Sequence, residues 1–404
     1  MAGNVLVNAL VASLCLFSGG VSSSPVNKRE VEDPTLDEVA KQALTNAYKV
    51  LDGTLSDGTT RSSECTKDTV AVRQEFGDLT HAQRIDYTDS VLCLLNKPSK
   101  LPAGMYPGAK SRYEDFVVVH MNMTPAVHGT ANFMHWHRYY IWAYETALRT
   151  ECGYKGYQPY WDWSKYPDLV NSPVFNGDEW SMGGNGEPVG PHADLMFGPE
   201  HIIPAGPGGG CVTTGPFANL TIHLGPLAPT VDPQFNIPPN PQADGYGDNP
   251  RCLRRDVNNA FTKDYMRPQD LLDQIVSSKN IFDFQESLQS NGTTTLSALH
   301  VGGHFSIWGD PGGDVYVSPA EPAFWLHHSQ LDRHWWMWAM YQESEVKDRT
   351  LQYQGATNWF VPDGPRGKPE DEQELDVVAP EGMNHLPSKD LFSTTSGPFC
   401  YVYA

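Results

Sequence analysis

Apolar residues recur at three- and four-residue spacing along much of the chain, and the stretches that show it are bounded by residues that start or stop helices. From Thr35 to Leu51 the pattern follows an acidic first turn and stops at Gly53. Thr80 to Leu95 repeats it and ends at Lys97-Pro98, with His81 on the polar first turn, where it reads as a surface residue. Ser111 to Met121 predicts a third helix with His120 in its last turn, broken at Thr124-Pro125. Asn132 or Thr130 then caps a long helix with an aromatic face through Tyr140, Trp142 and Tyr144. Between Trp161 and Pro268 the pattern lapses into Gly- and Pro-rich segments such as AGPGGGC and NIPPNPQADGYGDNP, the composition of surface loops that shape a site entrance. Helical patterning returns over Pro268 to Ser287, Thr295 to Phe305 and Ala323 to Met340, and the alternating FCYVYA tail predicts a strand or extended segment docked through Cys400. No solenoid-period repeat and no phosphate-binding glycine motif interrupts this order.

Composition narrows the picture. With 404 residues, 40% of them hydrophobic and only 19% charged, the chain can bury a large aromatic core in a single domain. A formal charge of -20 argues against nucleic acid and anionic membrane as partners and suits small neutral or weakly basic substrates. Residues 1–24, with a short apolar run before small residues, predict a secretory signal peptide, and the dibasic Lys28-Arg29 offers a processing site that would leave a domain of residues 30–404. No later run is long enough to span a membrane, so the mature protein is expected to be extracellular. Six cysteines remain once the signal is removed, Cys65, Cys93, Cys152, Cys211, Cys252 and Cys400, and an even number in an exported chain predicts three disulfides of open connectivity, with Cys211 and Cys252 a plausible staple. Sequons at Asn122, Asn219 and Asn291 fit the same compartment, although Asn122 lies so close to His120 that exposure is not expected of it.

The chemistry is concentrated in histidines. His300 and His304 stand at i and i+4, so on a helix both imidazoles leave one face and can close on one ion, with a third nitrogen available from His327 or His328 on the next helix. His120, His128 and His137 come from a helix end, the loop behind it and the following helix. His135 lies two residues from His137 and so points about 200° away on a helix, toward the pocket wall or behind a ligand. His192, His201 and His223 have no partner at ligand spacing and read as solvent-facing. Two groups of three histidines on otherwise apolar helices predict a mainly α fold, an antiparallel four-helix bundle with metals in its core, surrounded by long loops and a few short strands. Imidazole-only sets suit Cu, Zn, Ni or Fe; a zinc hydrolase would also need a nearby glutamate base, and no HEXXH segment supplies one.

The segments HGTANFMHWHRYY, His300-x-x-x-His304 and EPAFWLHHSQLDRHWW together resemble the paired copper-binding segments of the type-3 copper proteins, the tyrosinases and catechol oxidases. The likeness covers about residues 80 to 404 and is greatest to short secreted fungal catechol oxidases. It implies a first copper held by His120, His128 and His137 and a second held by His300, His304 and His328, since the family's ligand precedes the aspartate by four residues as His328 precedes Asp332. His327 would then pack behind the ligands, and Asp332 would support the ligand helix without competing for metal. Val301 and Phe305 become candidates for the pocket wall.

The resemblance further implies a monomeric enzyme in which two coppers activate dioxygen to oxidise ortho-diphenols to ortho-quinones, with weaker hydroxylation of monophenols. A true tyrosinase or an ortho-aminophenol oxidase is the alternative within the class, and a hemocyanin-like oxygen carrier the alternative outside it. The chain departs from the pattern at three places. Ala126 stands where many relatives carry the cysteine that bonds to the second histidine, so no thioether is expected. His135 stands for a common proline and Glu321 for a common aspartate. The stretch Ser287 to Ala298 contains no glutamate, which removes the acidic water-holder associated with monophenol hydroxylation from its expected place. No C-terminal shielding domain is expected after Tyr401-Val-Tyr403.

Overall fold

The structure, a computed structural model, describes residues 34–196, 202–229, 233–289 and 299–404. The expected signal peptide, Lys28-Arg29, His201, Asn291 and most of the Ser287 to Ala298 stretch lie outside the described residues. The helices are α1 (Leu36–Asp52), α2 (His81–Asn96), α3 (Arg112–Val127), α4 (Phe133–Cys152), α5 (Ala260–Asp264), α6 (Pro268–Ser277), α7 (Ile281–Gln289), α8 (Leu299–Ile307), α9 (Phe324–Met340) and α10 (Val346–Thr350). Thr35, Thr80 and Ser111 each form a reciprocal capping box with the residue three positions on, which fixes the starts of α1, α2 and α3. Gly53 and Gly153, both left-handed, terminate α1 and α4.

One boundary differs from the expectation. Helix α3 does not break at Thr124-Pro125 but runs through Pro125 to Val127, and His128 is its C-cap. Proline removes one donor and crowds the carbonyl of the preceding turn, a disturbance confined here to the last turn because the helix ends two residues later. His120 therefore sits in mid-helix. Asn122, two residues on and about 200° around the helix, is exposed, contrary to expectation, and its side chain accepts a hydrogen bond from Tyr246.

Helix α4 packs against α2, α3 and α9, and α9 packs against α1 and α8 as well. Every residue of α9 is buried, its polar and charged residues included, so the helix is covered on all sides. Its Trp325 ring stacks on Tyr144 of α4 with centroids 3.6 Å apart, and Trp335 receives the Arg138 guanidinium over its face at 3.6 Å.

The strands are short and pair in twos. Ala71–Arg73 lies parallel to Tyr401–Tyr403, bringing the FCYVYA tail into the core. There Asp332 of α9 accepts hydrogen bonds from Arg138 Nε at 2.6 Å, from Tyr401 Oη at 2.6 Å and from Tyr403 Oη at 2.5 Å, with Arg73 Nη1 at 3.5 Å. A carboxylate so surrounded holds α4, α9 and the tail together without touching a candidate ligand.

Three disulfides, Cys65–Cys400, Cys93–Cys152 and Cys211–Cys252, pair all six expected cysteines, the last stapling the Gly/Pro-rich region. Within that region His192 corrects the solvent-facing expectation. Its side chain is 3% exposed and its Nε2 lies 2.7 Å from Asp256 Oδ2. His223 stays partly exposed, 2.8 Å from Asp248. No described helix is long and apolar enough to cross a membrane.

Candidate metal centre

Two histidine groups converge where α3 and α4 meet α8 and α9. His120, His128 and His137 form the first, with ligand atoms within 4.8 Å of one another. Backbone carbonyls orient all three rings: His120 Nδ1 donates to Tyr316 O at 2.9 Å, His128 Nδ1 to Thr124 O at 3.0 Å, and His137 Nδ1 to Phe133 O at 2.8 Å. Each bond fixes the proton on Nδ1 and leaves the Nε2 lone pair facing the cluster. The Nε2 atoms of His120 and His137 are buried and have no hydrogen-bond partner, a costly state that a metal ion would relieve.

The second group contains His300, His304, His327 and His328, again within 4.8 Å. His304 Nε2 lies 3.1 Å from both His300 Nε2 and His328 Nε2, so three lone pairs meet at one point. His327 is near enough to join, but both its nitrogens are engaged. Trp163 Nε1 donates to its Nδ1 at 3.1 Å, and its own Nε2 donates to His300 O at 3.0 Å. It holds the backbone of α8 rather than offering a lone pair to an ion. A Cβ on Gly303 would fall 2.0 Å from His327 Cε1, so the absence of a side chain at 303 is what lets the ring lie there.

Burial keeps these imidazoles neutral. Desolvation pushes His120, His137, His300, His304 and His328 well below the ordinary histidine value, and lowers His128 to about 4. The stacked rings of His137 and His328, with centroids 4.6 Å apart, join the two groups face to face. Neutral, buried, convergent imidazoles with free lone pairs are donors suited to copper, and the residues present fit two such ions.

His135 belongs to neither group. Its ring sits in a box formed by Trp335, Tyr353 and Phe392 with centroids 4.6 to 5.0 Å away, and it lines neither cavity at the site. The turn of the helix carries it into the core behind α4.

A small apolar chamber of about 110 Å³ lies over the second group, lined by His128, His300, Val301, His304 and Phe305 among others. It opens into a cleft of about 660 Å³ that shares His128, His300, Val301 and Val315 and adds Phe282, Glu286, Trp359, Asp363 and Arg366. Val301 and Phe305 thus take the wall positions expected of them. Glu286 and the 356–366 segment were not legible as site residues: Glu286 lies just upstream of the stretch that lacks glutamate, and Trp359 comes from a loop without periodicity. Gly129 marks where the indole comes close. Its φ of 60° and the 3.2 Å between a Cβ there and Trp359 Cδ1 show how closely the indole covers the His128 turn.

Comparison with known proteins agrees with this arrangement. Residues 110–341 match the model of the common central domain of tyrosinase. The chain is 35% identical over 342 residues to tyrosinase P of Aspergillus terreus, covering 83% of this chain and 92% of that one. It is 36% identical over 354 residues to N-acetyl-6-hydroxytryptophan oxidase of Emericella nidulans, covering 84% and 94% respectively. Among solved structures, a polyphenol oxidase variant from Thermothelomyces thermophila superposes with a TM-score of 0.80 at 38% identity, covering 91% of this chain and 97% of that one. Two oriented histidine clusters on a mainly helical frame, matched along most of the chain by such relatives, show that the protein belongs to the type-3 copper tyrosinase family.

Proposed function

We propose that this chain is an exported dicopper oxidase that converts ortho-diphenols to ortho-quinones while dioxygen is reduced to water, with monophenol ortho-hydroxylation as a weaker activity. The observation that carries the reading is the pair of three-histidine clusters beneath a chamber large enough for one aromatic ring. His120, His128 and His137 hold the first copper, and His300, His304 and His328 the second, with α3, α4, α8 and α9 acting as the four-helix frame. Bound copper supplies the binding and reduction of dioxygen and accepts the two electrons of the diphenol.

The protein's part is positioning and exclusion. The carbonyl bonds to Nδ1 keep three rings aimed at the first ion, and His327 holds the α8 backbone so that His300 stays in register with His328. Val301 and Phe305 flank the entering ring and exclude water from one side of it. Three disulfides accord with an oxidising, extracellular setting, and Asn219, exposed on its loop, is the sequon best placed for a glycan. We further propose a monomer acting on small phenols, with neither nucleic acid nor membrane as partner.

The test is metal analysis together with oxygen uptake by copper-loaded protein on catechol and tyrosine. Two coppers per chain with quinone formed from catechol supports the reading. Reversible oxygen binding with catechol untouched would mean a carrier, and a single zinc without copper would end the copper assignment.

A further inference from the structure

The wall of the outer cleft contains a half-buried carboxylate that is paired with no cation among the described residues. Glu286, on α7, lines the cleft with His128 and His300, and burial raises its carboxyl above the usual range with no compensating contact. No salt bridge or hydrogen bond joins it to a described side chain. Phe282, one helical turn earlier, leaves the same face of α7 and is 41% exposed; Trp359, from the 356–366 segment, lines the same cleft and is 42% exposed. Aromatic faces left in contact with water beside an unpaired carboxylate are the elements of a site for an organic cation, which the carboxylate attracts by charge and the rings by their quadrupoles. The cleft's other charges are Asp363, a second carboxylate, and Arg366, both exposed and therefore screened more than the half-buried Glu286. A net charge of -20 adds a field that draws cations toward the protein.

We propose that Glu286 is a specificity-determining residue, and that the outer cleft selects phenols bearing an ammonium group on a short side chain. The ring enters the chamber bounded by Val301 and Phe305, and the ammonium stays outside against Glu286, Phe282 and Trp359. This rests on the diphenol oxidase reading and adds the substrate class. No bond to the side chain forms or breaks. The carboxylate positions the substrate and takes no part in electron transfer.

The experiment compares three catechols of similar size on copper-loaded protein: dopamine, neutral 4-ethylcatechol and anionic 3-(3,4-dihydroxyphenyl)propanoate. Dopamine is expected to show the highest kcat/KM. Glu286→Gln should remove most of that preference, about ten-fold, through the KM for dopamine, leaving kcat and the neutral catechol within about two-fold. A readout independent of turnover is calorimetric binding of phenethylamine, which has no oxidisable diphenol; it should bind the wild type and lose about ten-fold in affinity in Glu286→Gln. A preference that survives the substitution, or a variant that slows all three catechols alike, would overturn the assignment. If none of the catechols consumes oxygen while phenethylamine still binds in a Glu286-dependent way, the oxidase reading fails and the ammonium site stands.

Discussion

Tyr401 donates from its phenol oxygen to Asp332 Oδ2 at 2.6 Å, and that contact ties the strand at residues 401–403 to the helix carrying His328. Asp332→Asn keeps the shape but removes the charge that two buried arginines face. Loss of one partner from such a buried pair costs about 3–5 kcal/mol. A large fall in thermal midpoint is expected, and an unchanged midpoint would show that the network does not couple α4, α9 and the tail.

The two adjacent histidines of α9 should separate cleanly. His328→Ala is expected to retain half of the copper and no oxidase activity. His327→Ala keeps the full copper content, since both nitrogens of that ring already serve Trp163 and the His300 carbonyl, although it loses stability through the cavity it leaves. Metal analysis of the two purified variants decides the matter, and the reverse pattern would exchange their roles.

Acid sensitivity should follow from a histidine outside the site. His334 donates from Nε2 to Gln274 Oε1 at 2.5 Å, and burial, with the Arg333 charge added, lowers it to about 3. The unfolded chain takes up this proton near pH 6.5 and the folded chain only near 3, so its share of stability is intact above 6.5 and drains as pH falls toward 3. By pH 5 the loss amounts to about 2 kcal/mol. His334→Gln should therefore lose less stability than the wild type between pH 7 and pH 5 in denaturant titrations, and parallel losses would discard this origin.

The Cys65–Cys400 disulfide closes a loop of 335 residues, the longest of the three. Cys400→Ser is expected to lower stability by about 3–5 kcal/mol, more than loss of the Cys211–Cys252 staple, whose loop spans 41 residues. Unfolding of the two serine variants side by side provides the comparison, with equal losses contradicting the loop-length argument.

What the sequence made legible was local. Thr35, Thr80 and Ser111 announce their helices because a cap and its partner lie three residues apart, and His300 with His304 announces a ligand face for the same reason of short spacing. The course of α3 through Pro125 was hidden, because proline's usual effect is set aside only where the end of the helix and its packing permit it. His135 and His137 are two letters apart, yet one enters an aromatic box and the other a metal cluster, and only helical phase separates them. Glu286 and Trp359 were illegible as neighbours. They meet at the cleft through tertiary folding, from segments some seventy residues apart, a relation no local pattern encodes.

Helix α8 divides its labour between two faces. Gly303 faces His327 so closely that a Cβ there would force the ring or the helix aside and alter the second histidine group, while a Cβ on Gly302 would come within 3.1 Å of Met266 Sδ and press on that side chain. Val301 lines both cavities, whereas Phe305 turns one side to the chamber and packs its ring against Phe261 and Trp308. One helix therefore carries two separate demands: 302 and 303, by having nothing to add, hold the gauge of the second histidine group, while 301 and 305 shape the chamber above it.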